Sequence, residues 1–406
     1  LEFECFDGAV KLQELTLRYM NIWKISDGAF KGLVALKRID LKGNNIISFT
    51  SSIFQNQKNL RQITTDNFRL CCDSVKPSTV QPVDCDAPND EISSCADILR
   101  TLLLRASLWI MAVLTLTGNL GVIVYRIFFD RGLKQSFRII ITCLSASDFI
   151  MGVYLVIIGS ADAFYRDRYL VYEHEWTSSA ACQVAGFLCL LSSETSALFI
   201  LLVTLDRLLA IAFPLHPNCH FNTKSATVAC GLVWIIGLIM ATVPLLPPFQ
   251  HWQLYTQKAV GVPLPITRSH LPGYEYSFGI FILFNMTVFL LVALGQLLIY
   301  LSVTLQKHTR ISEIRVRQDT AIAKRLILVV LTDCLCWFPI TVMGLAARSG
   351  QPVPGEMNVV ATVFLLPANS AFNPFLYTAN AILLARRIRK KKHSSEAEMS
   401  LRRMSS

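Results

Sequence analysis

Charge is scarce in this chain: Asp, Glu, Lys and Arg together make up 16% of 406 residues, against 53% apolar residues. That balance excludes two or three soluble domains and makes lipid the solvent for most of the chain. Histidine is sparse too. Seven are scattered with no Ser-His-Asp or His-Glu-x-x-His arrangement, so no hydrolytic or redox centre is expected and the chain is not read as an enzyme. Cysteine is absent after Cys336, so a palmitoyl anchor is not expected within residues 381–406. It is also absent from residues 248 to 277. Acidic residues are outnumbered, giving a net charge of +10. The basic residues lie in short stretches between apolar runs and in Arg386 to Lys392, a placement that fits anionic membrane lipids and excludes a nucleic-acid footprint.

What is present begins with a repeat. Over residues 1–70 the period is 24: Phe6, Phe30 and Phe54 align, as do Leu12, Leu36 and Leu60, then Leu15, Ile39 and Ile63. This is a leucine-rich-repeat pattern, with Asn44 where a buried amide would bond the backbone of the turn. Met20 and Phe68 occupy the matching positions in the flanking copies. An amphipathic helix would not hold a 24-residue register with Asn and Phe in phase. Because the chain opens on Leu1 within a repeat, a longer precursor is expected.

Residues 71–98 carry Cys71, Cys72, Cys85 and Cys95 among Pro, Ser and Asp, with no apolar period. They read as a disulfide-stapled cap and hinge that closes the last repeat, in an oxidising, extracellular compartment. Four cysteines allow three pairings, and bonding between the adjacent Cys71 and Cys72 is disfavoured by geometry. Zinc is the competing reading, without a nearby histidine to support it.

Residues 99–380 hold seven apolar runs, near 101–127, 134–161, 180–210, 225–249, 275–303, 321–347 and 356–379. Each is long enough to span a bilayer, so the expected fold is an all-α seven-helix membrane bundle preceded by a short α/β solenoid. Lys and Arg cluster after the first, third and fifth runs and in the tail, residues 381–406. The positive-inside rule then sets the C-terminus in the cytoplasm and the repeats outside the plasma membrane.

Ionisable residues within the runs are few, and each is a site hypothesis because an unpaired charge is costly in lipid. They are Asp148, Glu194, Asp206 with Arg207, and Asp333. For Glu194 and Asp333 a neutral acid bonded to a neighbouring carbonyl is an equal reading. Asn119, Ser196, Asn369, Ser370 and Asn373 offer oxygen ligands that with Asp148 would suit a small hard cation. Arg207 beside Asp206 forms a local ion pair whose loss would free a fork of donors, and Asp319 offers a second acceptor. Pro339 next to Trp337, and Pro374 after Asn373, each remove a backbone hydrogen bond and kink a helix that can then swing.

These residues resemble the rhodopsin-like G-protein-coupled receptors, and within them the leucine-rich-repeat hormone receptors. The likeness is greatest to the relaxin-family peptide receptors and their invertebrate relatives. It is carried by Gly118-Asn119, Asp148, Cys182, Arg207, Trp234, Cys336-Trp337-Phe338-Pro339 and Asn373-Pro374-Phe375-Leu376-Tyr377. The subfamily is carried by the repeats, the short hinge from Cys85, and the segment Thr332 to Ile340.

The resemblance implies a peptide or protein hormone outside and a heterotrimeric G protein inside. Asp206, Arg207, Asp319, Trp337, Pro339, Asn373, Pro374 and Tyr377 would be parts of the switch, and Asp148, Ser196, Asn369 and Asn373 would match the family's sodium pocket. The chain departs from the family at Cys182, whose usual partner in the second extracellular loop is missing, and at Leu208 and Gly295. An adhesion or co-receptor protein with an inert bundle is the alternative, but it would not need Arg207, Asp148, Trp337 and Asn373 together. A transporter is disfavoured because the seven runs show no inverted-repeat symmetry. Arg402-Arg403-Met404-Ser405 fits a basic-directed kinase site at Ser405, and Asn285-Met286-Thr287 fits a glycosylation pattern inside an apolar run.

Overall fold

The computed structural model describes residues 1–306 apart from 45, 47, 51, 88–93, 130–133, 214–219, 263 and 267–271, followed by 332, 334–351, 353, 357 and 360–375. It divides into two compact units, one formed by Leu1–Leu102 with Ser160–Ala180 and the other by the remainder.

The first unit is a solenoid whose register follows the 24-residue period. Strands β1 (Glu14–Thr16), β2 (Arg38–Asp40) and β3 (Gln62–Thr64) pair in parallel, with Leu15 opposite Ile39 and Ile39 opposite Ile63. The phenylalanines stack into a spine, Phe6 on Phe30 at 6.1 Å and Phe30 on Phe54 at 5.6 Å between centroids. A spine of this kind stabilises because each ring removes apolar area from water, about 1.5–3 kcal/mol per buried side chain.

Asn44 does what the pattern predicts. Its Oδ1 accepts from the N–H of Met20 at 3.0 Å and Ile22 at 3.1 Å, and its Nδ2 donates to Leu17 O at 2.6 Å and Leu41 O at 2.8 Å. At the next turn the amide comes from Asn67, one residue before the aligned Phe68, donating to Ile46 O at 2.8 Å. A fourth strand, β4 (Cys85–Asp86), pairs with β3 and closes the edge. Cys71 is bonded to Cys85 and Cys72 to Cys95, so both bridges pin the segment after the last repeat. The same unit contains the end of one long helix and a ten-residue helix that follows it.

The second unit is helical. Among the described residues five helices are long and apolar enough to cross a membrane, with a shorter apolar helix at Cys334–Arg348. In chain order the α-helices of both units are α1 (Leu102–Val124), α2 (Gln135–Tyr165), α3 (Tyr169–Ser178, in the first unit), α4 (Ala180–Ala212), α5 (Thr223–Thr242), α6 (Tyr274–Thr304), α7 (Cys334–Arg348) and α8 (Leu366–Pro374) among the described residues. Helix α3 lies in the connection from α2 to α4, and α8 belongs to the last apolar run.

Helix α4 is the axis: 78% of its most apolar window is buried, against 28% for α1 and α5. Outward residues such as Ile110, Val113, Ile239, Leu290 and Leu294 are exposed and apolar, which is the surface lipid requires. Helix α5 starts with a capping box in which Asn222 Oδ1 accepts from Ser225 N and Ser225 Oγ accepts from Asn222 N. Wider π turns interrupt α6 at Gly279–Phe284 and precede α8 at Ala361–Leu365. Such turns rotate the residues beyond them and often mark functional positions.

Candidate functional site

Among the described residues of the helical unit, three clusters of buried polar side chains contain ionisable groups that the sequence singled out, each tied to α4. In the first, the Asp148 carboxylate on α2 is fully buried. Oδ1 accepts from Ser196 Oγ at 2.7 Å and Ser370 Oγ at 2.9 Å, and Oδ2 accepts from Asn373 Nδ2 at 2.8 Å. Asn119 on α1 joins through Nδ2, which donates to Ser370 O at 3.0 Å and to Thr115 O at 2.8 Å. Gly118 makes this approach possible, since a Cβ there would lie 3.0 Å from the Pro374 ring.

Helices α4 and α8 therefore both donate to one carboxylate on α2, and α1 joins them through the Ser370 carbonyl. Two buried oxygens in the cluster, Asn119 Oδ1 and Asn373 Oδ1, have no hydrogen-bond partner among the described residues. Buried polar atoms are seldom left so, and acceptor oxygens beside a carboxylate fit a small cation. Asn369 is buried one residue before Ser370, whose hydroxyl is the group on Asp148.

The second cluster is at Arg207. Its Nη2 and Nε donate to Asp206 Oδ2 at 2.6 and 3.0 Å, and its guanidinium lies 3.9 Å from the centroid of the Phe137 ring on α2. Both side chains are largely covered, 13% exposed for Arg207 and 7% for Asp206. Charge-assisted donation and a cation–π contact hold the fork folded against its own helix.

The third cluster pairs Glu194 on α4 with Asn285 on α6. Asn285 Nδ2 lies 3.1 Å from both carboxylate oxygens, and Ser193 Oγ donates to Oε1 at 3.2 Å. Glu194 is fully buried and Asn285 is 2% exposed. The glycosylation pattern at Asn285 thus falls on an amide engaged inside the bundle. This pairing was not legible from the sequence. The available signal was an Asn within an apolar run, where a polar side chain requires a partner.

Trp337 on α7 is buried, and Thr341 Oγ1 donates to its carbonyl at 3.0 Å just after Pro339. Trp234 on α5 packs edge-on against Phe199 at 5.7 Å. Asp319, Asp333, Tyr377, Ser405 and the basic tail fall outside the described residues.

Cys182 is buried and its thiol forms no disulfide. The segment between α5 and α6 is held to the bundle by other means. Cys182 Sγ donates to Tyr255 O at 3.5 Å, Tyr255 Oη to Ala241 O at 2.7 Å, and Tyr154 Oη to Val260 O at 3.1 Å. Gly261 adopts φ +68° and its carbonyl lies where a Cβ on Gly186 would project, so both positions require glycine. Shape and hydrogen bonds do here what a covalent bridge would do.

Comparison with known proteins agrees with this architecture. The family model described as "7 transmembrane receptor (rhodopsin family)" matches residues 118–377, and a leucine-rich-repeat model matches residues 10–67. Among curated relatives, G-protein coupled receptor GRL101 of Lymnaea stagnalis is 36% identical over 340 residues, 84% of this chain and 30% of that protein. Relaxin receptor 2 of Canis lupus familiaris is 32% identical over 336 residues, 82% of this chain and 44% of that protein. Relaxin receptor 1 of Homo sapiens is 32% identical over 297 residues, 72% of this chain and 39% of that protein. The chain thus spans less than half the length of these relatives.

Proposed function

The chain belongs to the rhodopsin family of seven-transmembrane receptors, and from that premise we propose that it is a receptor for a peptide or protein hormone, of relaxin-like type, that activates a heterotrimeric G protein. It is a membrane protein, and in this reading the repeats and C-terminal tail lie on the extracellular and cytoplasmic sides of the plasma membrane.

The observation that carries the proposal is the closed Asp206–Arg207 pair. A guanidinium folded onto its neighbour is an off state with a defined on state, because releasing it presents five donors in a rigid fork to the cytoplasmic side. Hormone binding outside shifts the bundle toward the arrangement in which α7 swings at Pro339, beside Trp337. Arg207 then leaves Asp206. Asn373 and Pro374 let the last helix adjust at the same time.

The Asp148 cluster would bind sodium in the off state. Asp148, Ser196, Ser370 and Asn373 meet there, and the unpartnered oxygens of Asn119 and Asn373 supply further ligands. An ion bound unequally by the two states biases the equilibrium between them. The names of the relatives support the choice of hormone class, and the repeats supply an outer surface for a protein ligand. The proposal is tested by hormone-stimulated nucleotide exchange on a purified G protein in membranes carrying the chain. Full exchange with Arg207→Ala would overturn it.

A further inference from the structure

The connection between α2 and α4 carries more polar machinery than joining two helices requires. Arg69 stands in the turn Phe68–Cys71 of the cysteine cap, yet only 6% of its side chain is exposed. Its Nε meets Glu173 Oε2 on α3 at 2.7 Å, its Nη1 donates to Leu170 O at 3.4 Å, and the guanidinium lies 4.9 Å from the Phe49 ring. Leu170 itself packs against the hydrophobic core of the repeats.

Backbone bonds run alongside. Leu170 N donates to Cys95 O at 3.2 Å and Tyr169 N to Ala96 O at 3.1 Å. Leu99 N donates to Asp162 Oδ1, a buried carboxylate near the end of α2, at 2.7 Å. Cys95 is in turn bonded to Cys72 of the cap. A desolvated guanidinium is stable only with its counter-ion in place, so the region has a discrete closed arrangement rather than a range of loose ones.

We infer that residues 162–173 are the last capping element of the solenoid and that the Arg69–Glu173 pair is a latch whose closure regulates the receptor. The regulatory half rests on the receptor function proposed above. Helix α2, which carries Asp162 at the latch, is the same unbroken helix that carries Asp148. A strain set by the cap therefore acts directly on an element of the switch. The covalent hinge is not the sole route by which the repeats address the helices.

The test uses the full chain in detergent or nanodiscs, followed by amide hydrogen exchange and by basal nucleotide exchange on a G protein. Glu173→Gln removes the charge from a partly exposed side chain. Leu170→Pro removes the N–H that bonds Cys95 O in the first turn of α3, where that N–H makes no bond within the helix. Either variant is expected to speed exchange across residues 167–175 by about 10-fold or more while the amides of Ile39 and Ile63 keep their protection. Each is also expected to shift basal nucleotide exchange at least about 3-fold from the parent, the change that a sub-kcal bias of a two-state equilibrium produces. Unchanged amide exchange in both variants overturns the latch. Faster amide exchange with basal nucleotide exchange equal to that of an active parent overturns its regulatory role. A parent that never stimulates nucleotide exchange overturns the receptor function instead, and the amide measurement still decides the latch.

Discussion

Asp206 Oδ2 accepts two donors from its sequence neighbour Arg207, Nη2 at 2.6 Å and Nε at 3.0 Å. Adjacent residues on a helix do not normally face one another. Here the long guanidinium folds back, with the Phe137 ring 3.9 Å from it as a backstop. Removing the acceptor or the donor should therefore have opposite effects. Asp206→Asn is expected to raise basal nucleotide exchange about 10-fold, since a hydrogen bond to a charged group contributes about 1.5 kcal/mol. Arg207→Ala is expected to abolish stimulated exchange while surface expression, measured by antibody labelling, stays near the parent level.

Sodium dependence follows from the cluster on Asp148. Replacing NaCl by choline chloride at constant ionic strength is expected to raise basal nucleotide exchange of the parent. Asp148→Asn should flatten that titration, because the carboxylate that would hold the cation is gone. A parent whose basal activity ignores sodium would argue against the cation site.

The Glu194–Asn285 pair makes a stability prediction. Asn285→Leu leaves a fully buried carboxylate without its principal donor, which costs about 1–3 kcal/mol. Thermal unfolding of the purified chain should fall by about 2–12 °C, taking roughly 2–4 °C per kcal/mol as for domains of 150–250 residues. The double variant Glu194→Gln with Asn285→Leu should recover part of that loss, since a neutral amide is easier to bury than a charged carboxylate.

Because the α5–α6 segment is held without a disulfide, Cys182→Ala should leave expression and basal activity close to the parent. Tyr255→Phe deletes the bond to Ala241 O and should loosen that segment, seen as faster proteolysis between residues 248 and 266. A strong loss of expression in Cys182→Ala would show that the thiol has a larger role than its weak bond to Tyr255 O.

Much of the fold was legible because its signals are periodic. A 24-residue repeat fixes which side chains stack, so the Phe6, Phe30 and Phe54 spine and the Leu15, Ile39 and Ile63 register could be written down from spacing alone. At the third turn the repeat pattern offers Phe68 and no amide, because Asn67 reaches Ile46 O from a capped turn whose geometry the period does not encode. Asp148 and its oxygen neighbours were visible as candidates. Their convergence was not, since it depends on helix rotation and on the close approach that Gly118 permits.

By itself the sequence determined the long apolar helices, the solenoid register, and the few polar residues that lipid makes expensive, since each depends on local spacing and composition. Tertiary structure alone decided which partner each of those residues takes. It chose the pairings Cys71 with Cys85 and Cys72 with Cys95, set Asn285 on Glu194 and Ser370 on Asp148, and brought Glu173 to Arg69. Those contacts join residues far apart in the chain. Their distances are fixed by packing, and no periodicity in the sequence records them.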